Sequence, residues 1–108
     1  MDNVERAVEL KRLLRDKRRI LVLDGAMGTS IQERNLSAED FGGPNYDGCN
    51  EYLSLTRPDL IKEIHKGFVD AGADILETNT FGATRIVLDE YGLAEESLRI
   101  NRTAAGLA

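Results

Sequence analysis

Cysteine and histidine are almost missing from this 108-residue chain: each occurs once, as Cys49 and His65. A single thiol excludes an internal disulfide and fits a reducing, cytoplasmic setting. One cysteine and one histidine cannot build the closed or open zinc sites that proteins use. Long apolar runs are absent as well, so nothing reaches the length needed to cross a bilayer. The opening residues, Asp2-Asn3-Val4-Glu5, are acidic and mixed, unlike a secretory signal. There is no basic excess either. Fourteen Lys and Arg stand against nineteen Asp and Glu, a net charge of −5. Such a chain is a poor partner for nucleic acid or an anionic membrane. Its one basic run, Lys11, Arg12, Arg15, Lys17, Arg18 and Arg19, reads as the solvated face and end of a helix, where cations are favoured. No phosphate fingerprint is present: Gly25 and Gly28 are spaced G-x-x-G, without the P-loop lysine or the dinucleotide pattern.

What is present centres on Ile20-Leu21-Val22-Leu23-Asp24-Gly25-Ala26-Met27-Gly28-Thr29. An unalternating apolar run reads as a short strand buried on both faces. A carboxylate at the exit of such a strand is costly unless paired or used. Before it, Asp2 or Asn3 can cap a helix over about residues 3–16. After it, Thr29 to Arg34 can form a short helix. The turn-rich stretch 35–48, with Phe41 and Tyr46 inside it, is either a functional loop or a plain excursion anchored by those two aromatics.

Thr56-Arg57-Pro58-Asp59 is a helix start, and Leu60, Ile61, Ile64, Phe68 and Ala71 form one stripe, predicting a helix over 57–72 closed by Gly72. His65 flanks that stripe as a structural or solvent-facing residue. Residues 74–78 read as a second strand, and 83–91 and 94–108 as helices. The expected fold is therefore α/β: strands 20–24 and 74–78, parallel, with flanking helices and a right-handed crossover. Two strands cannot bury a core alone. The expectation is thus the first part of a larger parallel α/β protein, against the alternative of a complete small domain.

Each expected strand ends in an acid followed by small polar residues: Asp24 before Gly25, Ala26 and Met27, and Glu77 before Thr78, Asn79 and Thr80. Parallel neighbours would place both acids on one rim. Carboxylates hold an ammonium, and free amides of a glycine turn hold a carboxylate, which together suit the zwitterionic end of an amino acid. The same acids also suit acid–base work or a divalent ion.

Asp24-Gly25-Ala26-Met27-Gly28-Thr29, Asn50, Leu55-Thr56-Arg57-Pro58 and Ala71-Gly72-Ala73-Asp74-Ile75-Leu76-Glu77-Thr78-Asn79-Thr80-Phe81 resemble the homocysteine S-methyltransferase family. The form DGAMGT is closer to the amino-terminal homocysteine-binding module of its cobalamin-dependent branch than to the betaine or S-methylmethionine branches. The resemblance covers the chain from about Leu14 onward. It implies a (β/α)8 TIM barrel, which takes about 250 residues, so that this chain would be its amino-terminal portion. It implies homocysteine as partner, bound by Asp24, Gly25, Ala26, Met27, Asn50, Glu77, Thr78, Asn79 and Thr80. It further implies zinc, held by cysteines further along the parent polypeptide, and methylcobalamin and methyltetrahydrofolate on other modules. Cys49 matches none of those cysteines and is an unassigned loop thiol or a pocket-lining one. No catalytic residue and no metal ligand is then expected within the chain, and alone it should be inactive. The alternatives are a betaine- or S-methylmethionine-dependent homocysteine methyltransferase, or a non-catalytic amino-acid-binding fragment.

Overall fold

The computed structural model describes all 108 residues, and its regular elements are helices. They are α1 (Asn3–Arg15), α2 (Met27–Gln32), α3 (Leu53–Thr56), α4 (Pro58–Asp70), α5 (Arg85–Leu88) and α6 (Ser97–Leu107). Short 3₁₀ turns at Pro44–Tyr46, Asn50–Tyr52, Asp89–Tyr91 and Ala94–Glu96 fill the connections.

The α/β expectation, two parallel strands at 20–24 and 74–78 opening a (β/α)8 barrel, is corrected by this structure: there is no sheet. The two extended segments share a single isolated parallel bridge, Leu23 to Ile75. Around it, the amide of Asp24 donates to the Ile75 carbonyl (3.0 Å), and those of Asp74 and Ile75 donate to Val22 (2.8 and 3.2 Å). The ladder stops there for two reasons. The Asp74 carboxylate takes the Val22 amide (3.0 Å) that a ladder would use. Both segments also have open outer edges, and an isolated strand pair is marginal in water. The apolar run consequently stays exposed, with Ile20 89% and Val22 53% accessible.

The helices bury what these segments do not. At α4, Pro58 occupies the first turn and Asp59 adds a favourable acid. Its Leu60, Ile61 and Ile64 meet Ile31 of α2, Leu53 of α3 and Phe41 in one core cluster. Phe41 thereby pins the turn-rich stretch 35–48 to the core. A second cluster joins Cys49, Ala83, Leu88, Leu93 and Ile100. Tyr46 packs against both clusters and lies 5.0 Å from the Tyr52 ring. Gly42 (φ +97°) lets the backbone pass Tyr52 and Thr56, where a Cβ would come within 3.1 Å of the tyrosine ring.

α1 is different. Asp2 and Glu5 form a capping box, Asp2 accepting from the Glu5 amide and Glu5 from the Asp2 amide. Glu9 pairs with Arg12 one turn later. Yet α1 buries none of its residues. No helix of the chain is long and apolar enough to cross a membrane.

Candidate functional site

Three stretches distant in sequence converge on one cavity of about 210 Å³. The first is the turn that ends the apolar run. Asp24 leads into Gly25 and then Ala26, whose backbone is left-handed (φ 53°, ψ 31°) and starts α2. A non-glycine residue in that conformation costs about 1–3 kcal/mol and is tolerated where the surroundings impose it. The reversal turns Met27 and Gly28 toward the cavity. The first amides of α2 have no partner within the helix.

The second stretch is Asn50–Glu51, in the 3₁₀ turn after Cys49. The third is Glu77–Phe81. It is anchored from behind: Ser97 Oγ and Asn101 Nδ2 of α6 both donate to the Ala83 carbonyl, at 2.9 and 2.8 Å. Thr84 caps α5 by accepting from the Val87 amide.

All nine residues singled out from the sequence lie around this cavity: Asp24, Gly25, Ala26 and Met27 on one side, Glu77, Thr78, Asn79 and Thr80 on the other, and Asn50 between. Asp24 and Glu77 are adjacent, because Asp24 Oδ1 accepts from the Glu77 amide at 2.8 Å. Asp24 is therefore a brace as well as a wall. Asn79 is buried and donates through Nδ2 to the Asn50 carbonyl at 2.9 Å. Thr78 and Thr80 pair through their hydroxyls at 2.7 Å.

The reading from sequence missed Glu51, whose carboxylate also borders the cavity. Its only signal was its place beside Asn50, because its partner, the Gly82 amide, lies 31 residues away. With Glu51 the lining carries three carboxylates and no lysine, arginine or histidine. A small cavity whose only charged side chains are acids favours a cationic group, an ammonium foremost.

His65 and Cys49 lie outside the lining. His65 is buried, which excludes the solvent-facing alternative, and neither ring nitrogen has a hydrogen-bond partner. Burial pushes its pKa below the ordinary histidine value, against a smaller upward pull from the Asp24 charge. Cys49 is packed inside the second cluster, and burial pushes its thiol up. A raised thiol is less often thiolate, the form that binds metal. No three His, Cys, Asp or Glu side chains gather as a metal centre. The residues present therefore do not fit the zinc that the family resemblance implies.

Residues 21–108 match the family described as homocysteine S-methyltransferase. The methionine synthase of Mycobacterium leprae is 47% identical over 78 residues, which are 72% of this chain and 6% of that protein. The methionine synthase of Mycobacterium tuberculosis is 42% identical over 90 residues, 83% of this chain and 7% of that protein. The chain thus spans well under a tenth of the length of these curated relatives.

Proposed function

Because this chain belongs to the homocysteine S-methyltransferase family, we propose that it supplies part of the homocysteine pocket of a methyltransferase that forms methionine. The reaction breaks the bond that holds the methyl group to its donor and makes a sulfur–methyl bond at the homocysteine thiol, which gives up its proton. The chain's own part is to bind and orient the amino-acid end of the substrate. The observation that carries this reading is the acid-lined cavity at which residues 24–28, 50–51 and 77–81 meet. Its volume, about 210 Å³, is below the roughly 300–1,000 Å³ of sites for drug-sized ligands and suits a small metabolite.

The three acids are not equivalent in this reading. One oxygen of Asp24 is occupied by the Glu77 amide and one of Glu51 by the Gly82 amide. Asp24 keeps its second oxygen for the substrate ammonium, and the exposed Glu77 side chain supplies the other contact. The amides of the 25–28 turn face the substrate carboxylate. In this reading zinc, methylcobalamin and methyltetrahydrofolate are supplied by other parts of the parent polypeptide.

The test is methionine formation from homocysteine by the full-length protein, with methylcobalamin and methyltetrahydrofolate, betaine or S-methylmethionine as donor. Methylation from the cobalamin and folate pair alone supports the reading in full, and methylation from another donor moves the protein to that branch. No methylation from any donor removes it. Within an active protein, Asp24→Ala is expected to weaken homocysteine binding about tenfold or more, the loss of a charged contact, while zinc content is unchanged. Unaltered affinity in calorimetry takes Asp24 out of the site.

A further inference from the structure

One feature of the cavity wall goes beyond the substrate contacts. Segment 77–82 carries much of the lining, yet it forms neither helix nor ladder between its single bridge at Ile75 and the start of α5. Something other than secondary structure must set its position. Asp24 holds its near end at the Glu77 amide, and the turn at 49–52 holds the rest through two rungs. Asn79, buried to 5% exposure, donates to the Asn50 carbonyl at 2.9 Å. Three residues on, the Gly82 amide donates to Glu51 Oε1, also at 2.9 Å. The other oxygen, Oε2, lies 4.0 Å from the Cys49 sulfur, within reach of a weak S–H donor.

Gly82 is shaped for this contact. A Cβ built there would stand 2.9 Å from Glu51 Oε1, 3.2 Å from Val87 Cγ1 and 3.3 Å from Glu51 Cδ. Those distances leave no room for a side chain while the carboxylate keeps its place. The backbone angle is not what demands glycine here, since Gly82 is not among the positive-φ glycines. The close approach of the carboxylate is.

We propose that Glu51 is a positioning residue: its carboxylate, held against the Gly82 amide and backed by the Asn79–Asn50 rung, fixes the far end of segment 77–82, whose near end Asp24 holds at the Glu77 amide, and so shapes the substrate cavity. This rests on the proposed homocysteine-binding reading of that cavity. Glu51 acts on the substrate through the wall it holds. Its second function, if it touched the ammonium directly, would depend on its charge, and the rung to Gly82 needs only an acceptor oxygen.

That difference gives the test, made in the full-length protein with homocysteine as the varied substrate. Glu51→Ala removes the acceptor, and Glu51→Gln keeps an oxygen at the same reach while removing the charge. The expected result for Glu51→Ala is a rise in KM for homocysteine of about tenfold, as for loss of a hydrogen bond to a charged group. Its kcat is expected within about twofold of the parent, the pattern of lost ground-state positioning. Amide exchange at Gly82 should quicken in the same variant. Glu51→Gln is expected to recover most of both effects. Glu51→Asp, one methylene shorter, replaces the alanine variant if that one does not fold. Unchanged Gly82 exchange in Glu51→Ala overturns the proposal. So does Glu51→Gln that binds homocysteine as poorly as Glu51→Ala while Gly82 stays protected, because the charge would then act on the substrate itself. Should the parent protein not methylate homocysteine at all, the functional reading fails, and the Gly82 exchange rate alone decides whether Glu51 holds the wall.

Discussion

Residues 1–24 and residues 27–107 are held by different forces. The first region owes its order to neighbours in sequence: a capping box at Asp2 and Glu5, and an ion pair from Glu9 to Arg12. Its Val8 and Leu14 remain 63% and 66% exposed. Its tie to the rest is mostly polar, through Arg19 and the Val22 amide to the Asp74 carboxylate and through the Leu23–Ile75 bridge. The second region is held by two apolar clusters that draw on residues far apart in the chain. The difference teaches that a helical apolar pattern states what a helix is able to bury. Whether it buries anything depends on a facing surface. α4 finds one in α2, α3 and Phe41, whereas α1 buries nothing. The cavity lies at the seam: Asp24 closes the weakly held region, and Glu51 and Glu77 belong to the packed one.

Substitutions that sharpen this contrast rank by expected effect. The largest is Ile61→Ala, at a fully buried position in the first cluster. It is expected to cost about 2–5 kcal/mol of unfolding free energy in urea titration. A cost near zero would mean that the cluster does not hold the second region together.

Next comes acidification, which acts on the packed region through His65. Its folded-state pKa is depressed by burial, so below the ordinary value of about 6.5 the unfolded chain binds the proton more readily than the folded one. Stability contributed by neutral His65 is therefore present above that pH and lost as pH falls toward the depressed value. The melting temperature should drop as pH falls below about 6.5, and His65→Leu should flatten that slope. Leucine leaves no unpartnered nitrogen behind, so it should not destabilise at neutral pH. Asp40, Asp59 and Asp74 contribute in a separate, more acidic window. Their carboxyls are held low by backbone and arginine partners, and that contribution disappears only as pH falls through the carboxylate range. A slope identical in the His65→Leu variant would assign the loss to other groups.

A smaller effect is expected at the tether. Asp74→Ala should speed amide exchange at Val22 and leave the amides of α4 unchanged, because the carboxylate is the acceptor for Val22. Equal loosening of both regions would show that they unfold as one unit. The smallest effect is at α1: Val8→Ala, on an exposed face, should change stability by no more than about 0.5 kcal/mol. A cost comparable to that of Ile61→Ala would show that α1 is packed in solution.

Legibility from sequence follows the same division. The signals for α4 are Pro58, Asp59 and the stripe Leu60, Ile61, Ile64, all within two turns of one another, and they describe the helix that forms. The apolar run Ile20–Leu23 also looks decisive, and it misleads. Its composition reports suitability for a buried strand, while a sheet requires a continuous ladder with a neighbouring strand, and the structure has one bridge. His65 sits at the margin of a helical face, where a small rotation of the helix decides between solvent and core. Glu51 carried no pattern, because a carboxylate that accepts from a backbone amide 31 residues away leaves no trace in the identity of that distant residue beyond its being glycine.

By itself the sequence determined the family, the helix starts at Asp2 or Asn3 and within Thr56–Asp59, and the turns at Gly72 and Gly92, whose positive φ angles of 106° and 70° favour glycine. These depend on motifs and on energies that act within a few residues. Only the tertiary structure decided that the extended segments do not become a sheet, that α1 stays uncovered, and that Asp24, Glu51 and Glu77 share a cavity with Asn79 buried behind it. Those outcomes rest on contacts between distant backbone and side-chain groups, and such contacts have no period and no composition by which a linear chain announces them.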